Sequence, residues 1–203
     1  RGQRPRVVFP SSRLVYRGSP EPLSEEAAKE SKTVYAANKL AAEGFLQAYH
    51  AAFAIPYTIV RIGVPYGNLG EGSYSFGTIG AFIRMAREKK VIPLFGDGSP
   101  RRTFSHVQDI GRQVGECMGL AGAVAQAYNL AGETLSLLQV AGRIARRFGA
   151  SVRHVPWPAP ELAIESGDTV FDDSKIRHLL DFTPSHSFHE WIEAADPDEG
   201  PVS

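Results

Sequence analysis

The chain has 203 residues, of which 43% are hydrophobic and 22% charged, the balance of an ordinary soluble globular protein. Its 22 basic and 22 acidic residues cancel, so no net field favours nucleic acid or an anionic membrane as a partner. Cys117 is the single cysteine, which excludes an internal disulfide, and the sequence shows neither a signal peptide nor an apolar run of the roughly 20 residues that span a bilayer. We therefore predict a cytoplasmic protein without a membrane role.

Strand and helix patterns alternate in the first third of the chain. Residues 7–9 are Val-Val-Phe and predict a short buried strand. Apolar residues at helical spacing predict a helix over residues 34–53, which Pro56 keeps from continuing. Residues 57–60 are β-branched or aromatic and predict a second strand, followed by a glycine-rich loop over residues 63–77. This part of the chain therefore reads as a β-α-β unit.

The later elements are predicted from caps, turns and short apolar runs. Several residues at the predicted helix starts are of the types that cap helix N-termini. The predicted features are, in order, a helix over 79–89, a turn over 96–100, a helix from Asp109 to about Leu120, a strand over 127–130, a helix after Ser136, a segment over 152–155 left without an assignment and two short helices capped near Asp172 and Ser187.

Tyr35 and Lys39 are the most specific local feature. A spacing of four residues places the phenol and the ammonium group on one face of a helix. A tyrosine with a pKa near 10 is a poor base at neutral pH, but an adjacent positive charge stabilises the phenolate. The pair is therefore a candidate base with its activating cation, and the alternative is two surface side chains that merely share a helix face.

Further short motifs stand on both sides of this pair. In chain order they are Ser11-Ser12 with Val15-Tyr16, Pro22-Leu23-Ser24-Glu25, Tyr35 with Lys39, Arg61, Tyr66-Gly67, Gly96-Asp97-Gly98, Arg102 through Asp109, Gly167-Asp168 and Asp173-Ser174-Lys175. In this order and spacing, the chain resembles the extended short-chain dehydrogenase/reductase family, specifically its NAD-dependent nucleotide-sugar epimerase and dehydratase branch. Each motif alone is common, and their succession along nearly the whole chain is what is specific.

The resemblance implies an α/β fold class: an incomplete doubly wound parallel sheet, Rossmann-like, with a small α/β substrate-binding portion. Residues 1–62 and 96–150 would form the partial Rossmann-like domain. Residues 63–95 and 151–203 would form the substrate-binding portion.

The resemblance also implies a catalytic set of three residues. Tyr35 matches the base that takes the proton of a sugar hydroxyl, and Lys39 matches the residue that binds the nicotinamide ribose and activates the tyrosine. Ser12 matches the hydroxyl that orders the reacting oxygen.

Binding residues follow from the same comparison. The cofactor would be NAD, with NADP as the alternative, and the substrate a nucleotide-diphosphate sugar; no metal site is expected. Arg102 matches an arginine that clamps the substrate diphosphate. The expected cofactor-binding residues are Ser11, Tyr35, Lys39, Ile62 and Gly63, and the expected substrate-binding residues are Ser12, Val64, Arg102 and Asp168.

The sequence departs from the family pattern at its start and again just after Ser12. Members begin with a strand and a Gly-x-x-Gly-x-x-Gly turn that receives the pyrophosphate, and no such turn is present; the glycines of residues 67–72 follow the wrong element to replace it. We expect roughly one hundred residues to precede Arg1, either removed by truncation or supplied by a partner chain. Family dehydratases carry an Asp-Glu pair where this chain has Arg13 and Leu14, which argues against 4,6-dehydration.

Other departures concern the substrate. Val64 stands where many members have a substrate-binding asparagine, and Glu165 stands where some have a second diphosphate arginine. The leading hypothesis is C4 epimerisation of a nucleotide sugar through a 4-keto intermediate, although a reductase or decarboxylase would use the same three catalytic residues. The alternative is a catalytically silent fragment or subunit that binds a sugar nucleotide or a partner chain. A homodimer is expected by analogy, and His106, Asp109 and Cys117 are interpreted as structural.

Overall fold

The computed structural model describes residues 5–67 and 77–196. Its strands are β1 Val7–Ser12, β2 Tyr57–Ile62, β3 Val64–Tyr66, β4 Val91–Phe95, β5 Arg101–His106, β6 Gln126–Asn129, β7 Glu133–Ser136 and β8 Ser151–Val155. Its α-helices are α1 Val34–Phe53, α2 Gly77–Lys89, α3 Val107–Gly119, α4 Leu137–Arg147, α5 Ala159–Ile164, α6 Ser174–Leu180 and α7 Phe188–Ala194.

A three-stranded parallel sheet, in the order β1-β2-β6, forms the first layer. Successive side chains of a strand point to opposite faces, and β2 shows which helix covers each face. Val60 packs in an apolar cluster with Cys117 of α3, whereas its neighbour Arg61 pairs with Glu43 of α1. The sheet is therefore covered by helices on both faces, and the predicted Rossmann-like α/β class is confirmed.

The second part of the fold is built on two smaller sheets, β3-β5-β7 and β4-β8. A separate apolar cluster joins them to α2, α4 and α7, with Ile83, Leu94, Ile144 and Phe188 among its fully buried members. Helix α4 packs in this cluster, although the predicted division assigned residues 96–150 to the Rossmann-like part. The boundary between the two portions remains a prediction.

Helix α1 has the predicted bounds. The hydroxyl of Thr33 accepts a hydrogen bond from the amide of Ala36 at 3.0 Å, which satisfies one of the free donors of the first turn. At the other end Ala54 adopts a left-handed conformation, with φ of 53°, two residues before Pro56. The cap and the proline together define the helix that carries Tyr35 and Lys39.

Other helix starts differ from expectation by a few residues. His106, and not Asp109, caps α3: its Nδ1 accepts from the amide of Gln108 at 3.3 Å. The carboxylate of Asp109 instead accepts from the backbone amides of Ser185 and His186. It therefore ties a distant segment to α3, which a reading of local spacing could not detect.

Ser136 caps α4 as predicted. Its hydroxyl accepts from the amide of Gln139, whose side chain accepts in turn from the amide of Ser136, a reciprocal capping box. Ser187 likewise caps α7, and at the start of α6 the carboxylate of Asp172 accepts from the amide of Ser174 at 3.0 Å, as the prediction of a cap near Asp172 requires.

Five strands and one helix were not predicted: β3, β4, β5, β7, β8 and α5. Strand β3 lies inside the predicted glycine-rich loop, whose residues 68–76 are outside the described part of the chain. Strand β5 begins with two arginines and lacks an apolar alternation, so its sequence does not reveal that it is almost entirely buried. Within the described residues no helix is both long and apolar enough to cross a bilayer.

Candidate active site

Four of the predicted site residues lie at the carboxyl ends of two parallel strands. Ser11 lies opposite Arg61 and Ser12 opposite Ile62, the last pairs of the β1-β2 ladder, and Gly63 follows directly. Ligands of open parallel sheets bind beyond this edge. The fold therefore brings Ser11, Ser12, Ile62 and Gly63 to the place where a ligand is expected.

Tyr35 and Lys39 reach the same edge from α1. The Lys39 ammonium group donates a hydrogen bond to the carbonyl oxygen of Pro10 at 2.7 Å, next to Ser11 in β1. It lies 5.5 Å from the centroid of the Tyr35 ring. Tyr35 is 49% exposed, so its phenol is open to a ligand. The charge of Lys39 is thus close to both the phenol and the end of β1.

Two adjacent serines end β1, and their hydroxyl groups differ in their bonding. The buried hydroxyl of Ser12 accepts from the amide of Leu14 at 3.2 Å, which caps a short 3₁₀ turn over Arg13–Val15. Within the described residues, no acceptor lies in hydrogen-bond geometry for its own proton. The hydroxyl of Ser11 is fully buried and has no hydrogen-bond partner there. Because the Ser11 hydroxyl makes no hydrogen bond, it can still donate and accept one from a ligand. Such a bond would remove the cost of leaving a buried hydroxyl without a partner.

Gly63 and Val64 have structural roles that the sequence did not show. A Cβ atom at Gly63 would lie 2.2 Å from the carbonyl oxygen of Thr103, so β5 approaches the backbone too closely for any side chain. Val64 opens β3 opposite Phe104 and packs against the second apolar cluster. Close packing alone thus requires a glycine at residue 63, whether or not a cofactor lies beside it.

A cavity of about 390 Å³ is lined by chain neighbours of the predicted site, although Ser12, Tyr35 and Lys39 do not themselves line it. Arg13, which follows Ser12, lines it, as does Thr33 at the start of α1. Most of its wall is apolar, and the larger apolar side chains are Phe82, Phe95, Leu137, Trp157 and Ile164. Size and lining suit a ligand with a flat ring and a few charged groups.

Arg102 lines this cavity, but the protein already supplies it with an anion. Its Nη2 donates to both carboxylate oxygens of Glu165, at 2.8 and 3.0 Å. Asp168 does not line the cavity; its carboxylate accepts from the amide and guanidinium of Arg101 at 2.7 to 2.9 Å. In this structure Asp168 therefore holds the 165–169 segment against β5.

A buried polar network under the site was not predicted. Arg61 donates to both carboxylate oxygens of Glu43, at 2.6 and 3.1 Å, and to the hydroxyl of Tyr16 at 2.8 Å. The Tyr16 hydroxyl in turn donates to Asn129 of β6 at 2.6 Å. Burial is the main cause that raises the pKa of Tyr16 to about 12, so this phenol stays protonated. The sequence did offer one sign of this network, a single arginine in the mostly apolar strand Tyr57–Ile62. A guanidinium buried in a strand needs an anionic partner.

His106 and Cys117, which the sequence analysis interpreted as structural, are both buried. His106 stacks on His186 with ring centroids 4.1 Å apart, and burial, followed by the charge of His186, lowers the pKa of His106. Cys117 is fully buried, and burial raises the pKa of its thiol to about 11. Within residues 5–67 and 77–196, no three histidine, cysteine, aspartate or glutamate side chains group in a way that could hold a metal ion.

Residues 1–131 match the family model described as "NAD dependent epimerase/dehydratase family". The chain belongs to this family. The chain is 32% identical over 148 residues to a dTDP-L-rhamnose 4-epimerase of Burkholderia thailandensis. The match covers 72% of this chain and 38% of that protein. The chain is also 30% identical to a dTDP-glucose 4,6-dehydratase of Streptomyces niveus, covering 92% of the chain and 55% of the relative.

Solved structures of the family share the fold. A dTDP-glucose 4,6-dehydratase of Streptomyces venezuelae, crystallised with NAD bound, superimposes with a TM-score of 0.79 at 26% identity, covering 93% of this chain and 57% of that one. This family member thus spans between 38% and 57% of the length of the three proteins it was compared with.

Proposed function

We propose that this protein is a nucleotide-sugar 4-epimerase that oxidises the C4 hydroxyl of its substrate and reduces the 4-keto intermediate from the opposite face. One observation carries the proposal. The ammonium group of Lys39 lies 5.5 Å from the centroid of the Tyr35 ring and 2.7 Å from the carbonyl oxygen of Pro10. The base, its cation and the end of β1 with Ser12 therefore share one edge of the sheet.

Residues on this edge fit NAD. The hydroxyl of Ser11 is buried without a partner, and Lys39 has donors beyond the one that Pro10 receives. NAD, when bound, supplies the acceptor and later the donor of the hydride. Ser11, Lys39 and the backbone at Ile62 and Gly63 would hold it.

Each catalytic side chain has a distinct task in the proposed reaction. Tyr35 would take the proton of the C4 hydroxyl while the hydride leaves the same carbon, and would return a proton in the second half. Ser12 would donate its free hydroxyl proton to the reacting oxygen. Lys39 would stabilise the phenolate of Tyr35 by its charge.

Epimerisation is preferred to dehydration because of the residues after Ser12. Removal of water from C5 and C6 needs a further acid and base near the sugar, and this segment offers Arg13 and Leu14. A guanidinium stays protonated and a leucine cannot exchange protons. Because some relatives are 4,6-dehydratases, the choice between epimerisation and dehydration can be tested by identifying the product.

Substitution of Tyr35 by Phe tests the proposal. We expect the protein to convert a UDP- or dTDP-hexose to its C4 epimer, measured by NMR of the sugar protons, and Tyr35→Phe to lose turnover by at least about 100-fold, the lower range for general base catalysis. Tyr49→Phe, on the exposed side of the same helix, is the matched control and should keep full activity.

Unchanged thermal unfolding of Tyr35→Phe would show that the loss is chemical. Equal turnover in both forms would contradict the proposal. Turnover in neither form, with binding retained, would support a silent binding subunit instead. A 4-keto-6-deoxy product would identify a dehydratase.

We also propose that the protein assembles through α1. Phe45 and Tyr49, one turn apart on this helix, are 65% and 54% exposed, an unusual amount of aromatic surface for a solvated helix. A second copy that presents the same face would cover both. Sedimentation should show a dimer that Phe45→Glu dissociates, while Glu88→Lys, an exposed change on α2, leaves it intact; a partner chain would appear as a larger mixed complex.

A further inference from the structure

Arg13, in the 3₁₀ turn after β1, and Arg102, in β5, line the cavity together with the carboxylate of Glu165. Arg13 follows the catalytic-edge serine Ser12. Glu165, just after α5, accepts from Nη2 of Arg102 through both oxygens. Its Oε1 also accepts from the amide of Gly167 at 2.9 Å. The single carboxylate is therefore committed to Arg102 and to its own loop.

Arg13 is left without an ion-pair partner within the described residues. Its Nη1 donates to the hydroxyl of Thr169 at 3.0 Å, a neutral acceptor. Burial lowers the pKa of Arg13 to about 9, the charge of Arg102 adds to this and Glu165 acts in the opposite direction. Two close guanidinium groups facing one carboxylate leave an excess positive charge at this point of the wall.

Arg102 has unused capacity as well. Arg102 is only 5% exposed, and its Nε has no hydrogen-bond acceptor in the described part of the chain. A buried guanidinium with an unmatched donor is costly unless a ligand supplies the acceptor. The other acid on the cavity wall, Glu161, is exposed on α5 and faces solvent as well as the cavity.

From these contacts we infer that Arg13 and Arg102 together bind an anionic oxygen group of the ligand, and that Glu165 occupies part of this site until the anion displaces it. The kind of ligand rests on the proposed function. A diphosphate and a sugar carboxylate present the same chemistry to a guanidinium fork, and both are carried by nucleotide sugars. Arg13 is thus a specificity residue placed one position from Ser12.

Calorimetric titration of the chain with four probes tests this inference: inorganic pyrophosphate, UDP-glucose, dTDP-glucose and UDP-glucuronate. We expect Arg13→Gln to weaken binding at least tenfold. A loss with every probe identifies the diphosphate as the bound group, and a loss restricted to UDP-glucuronate identifies the sugar carboxylate. Arg17→Gln removes an exposed arginine four residues away and is the matched control, which should bind as the unsubstituted chain does.

Glu165→Gln tests the second half of the inference. It keeps the size of the side chain but removes the competing charge, so we expect binding of the same probes to tighten at least threefold. Weaker binding in Glu165→Gln would show instead that Glu165 orders Arg102 for the ligand, and would overturn its role as competitor. If Arg13→Gln does not fold, Arg13→Lys keeps the charge, loses the fork and should bind at an intermediate affinity.

The remaining outcomes separate this inference from the proposed function. Equal affinity of Arg13→Gln and the unsubstituted chain for every probe overturns the role of Arg13 and leaves the epimerase proposal intact. Binding of pyrophosphate alone, lost in Arg13→Gln, keeps the anion site and contradicts a nucleotide-sugar substrate. Binding of no probe overturns both.

Discussion

Arg61 and Glu43 join the central sheet to the helix that carries the candidate base. The guanidinium of Arg61, in β2, meets both carboxylate oxygens of Glu43, in α1, at 2.6 and 3.1 Å, and both side chains are about 5% exposed. Glu43 lies one helical turn after Lys39. The pair therefore sets how α1 lies on the sheet, and with it where Tyr35 and Lys39 stand relative to Ser12.

Replacing Glu43 by Gln should destabilise the protein strongly. The change leaves the charge of Arg61 buried without its anion, and losses of about 3–5 kcal/mol are typical when one partner of a buried pair is removed. The free energy of unfolding, measured by urea denaturation, gives the loss directly. Glu30→Gln breaks the half-exposed pair with Lys32 and should change stability by less than about 1 kcal/mol. Similar losses in both variants would contradict the role given to Glu43.

Gly63→Ala should disturb the junction of the two parts of the fold. The added Cβ would lie 2.2 Å from the carbonyl oxygen of Thr103, so β3 and β5 would have to separate. We expect a loss of about 1–3 kcal/mol, the usual range for overpacking, measured by thermal unfolding. Gly115→Ala is the control: nothing lies within 4 Å of that position in α3, and the helix should gain about 0.5–1 kcal/mol. A neutral Gly63→Ala would mean that β5 yields without strain.

Ser11→Ala should separate cofactor binding from stability. The Ser11 hydroxyl has no partner in the described structure, so its removal breaks no internal hydrogen bond and should leave the unfolding free energy unchanged or slightly higher. If the hydroxyl binds NAD, the affinity should fall by roughly two- to twelvefold, the equivalent of one net hydrogen bond. Fluorescence titration with NAD measures it. Ser105→Ala removes a buried bond to the carbonyl of Ala131 at 2.9 Å and should show the reverse, lower stability with unchanged affinity.

Cys117 should be unreactive until the protein unfolds. Burial raises its pKa from 9.0 to about 11, so at pH 8 roughly one thiol in a thousand is ionised in the native state. A disulfide reagent such as dithionitrobenzoate should label it in urea and not in native buffer, with Cys117→Ala as the blank. Because the native pKa lies above the unfolded one, its contribution to stability is present below about pH 9 and is lost as the pH rises toward 11. Rapid labelling of the folded protein would place this thiol at the surface.

The sequence predicted well those elements whose cause is local. Helix α1 combines a capping Thr33, apolar residues at helical spacing and a terminating Pro56, and its bounds agree with the prediction. Strand β5 has no such pattern. Its residues are buried because β3 and β7 pair with its two edges, and neither strand was recognised. Burial imposed by neighbours distant in the chain leaves no periodicity to read.

The site residues likewise fall into those that local spacing predicts and those that only tertiary contacts place. Tyr35 and Lys39 come together because four residues of helix make one turn, which a sequence displays directly. The position of Ser12 follows from the parallel register of β1 and β2, so only its motif was visible. Asp168 was expected at the substrate and pairs with Arg101, 67 residues away in the chain.

The order of motifs along the chain was enough to recognise the family, and helical periodicity was enough to pair Tyr35 with Lys39. The tertiary structure alone decided which charges face one another: Glu165 meets Arg102 across 63 residues of chain, and Arg13 joins them without a carboxylate of its own. Local spacing governs what one turn of helix brings together, whereas charges on elements distant in the chain are matched only when the tertiary structure has formed. The chemistry of the candidate anion site is therefore a property of the folded chain.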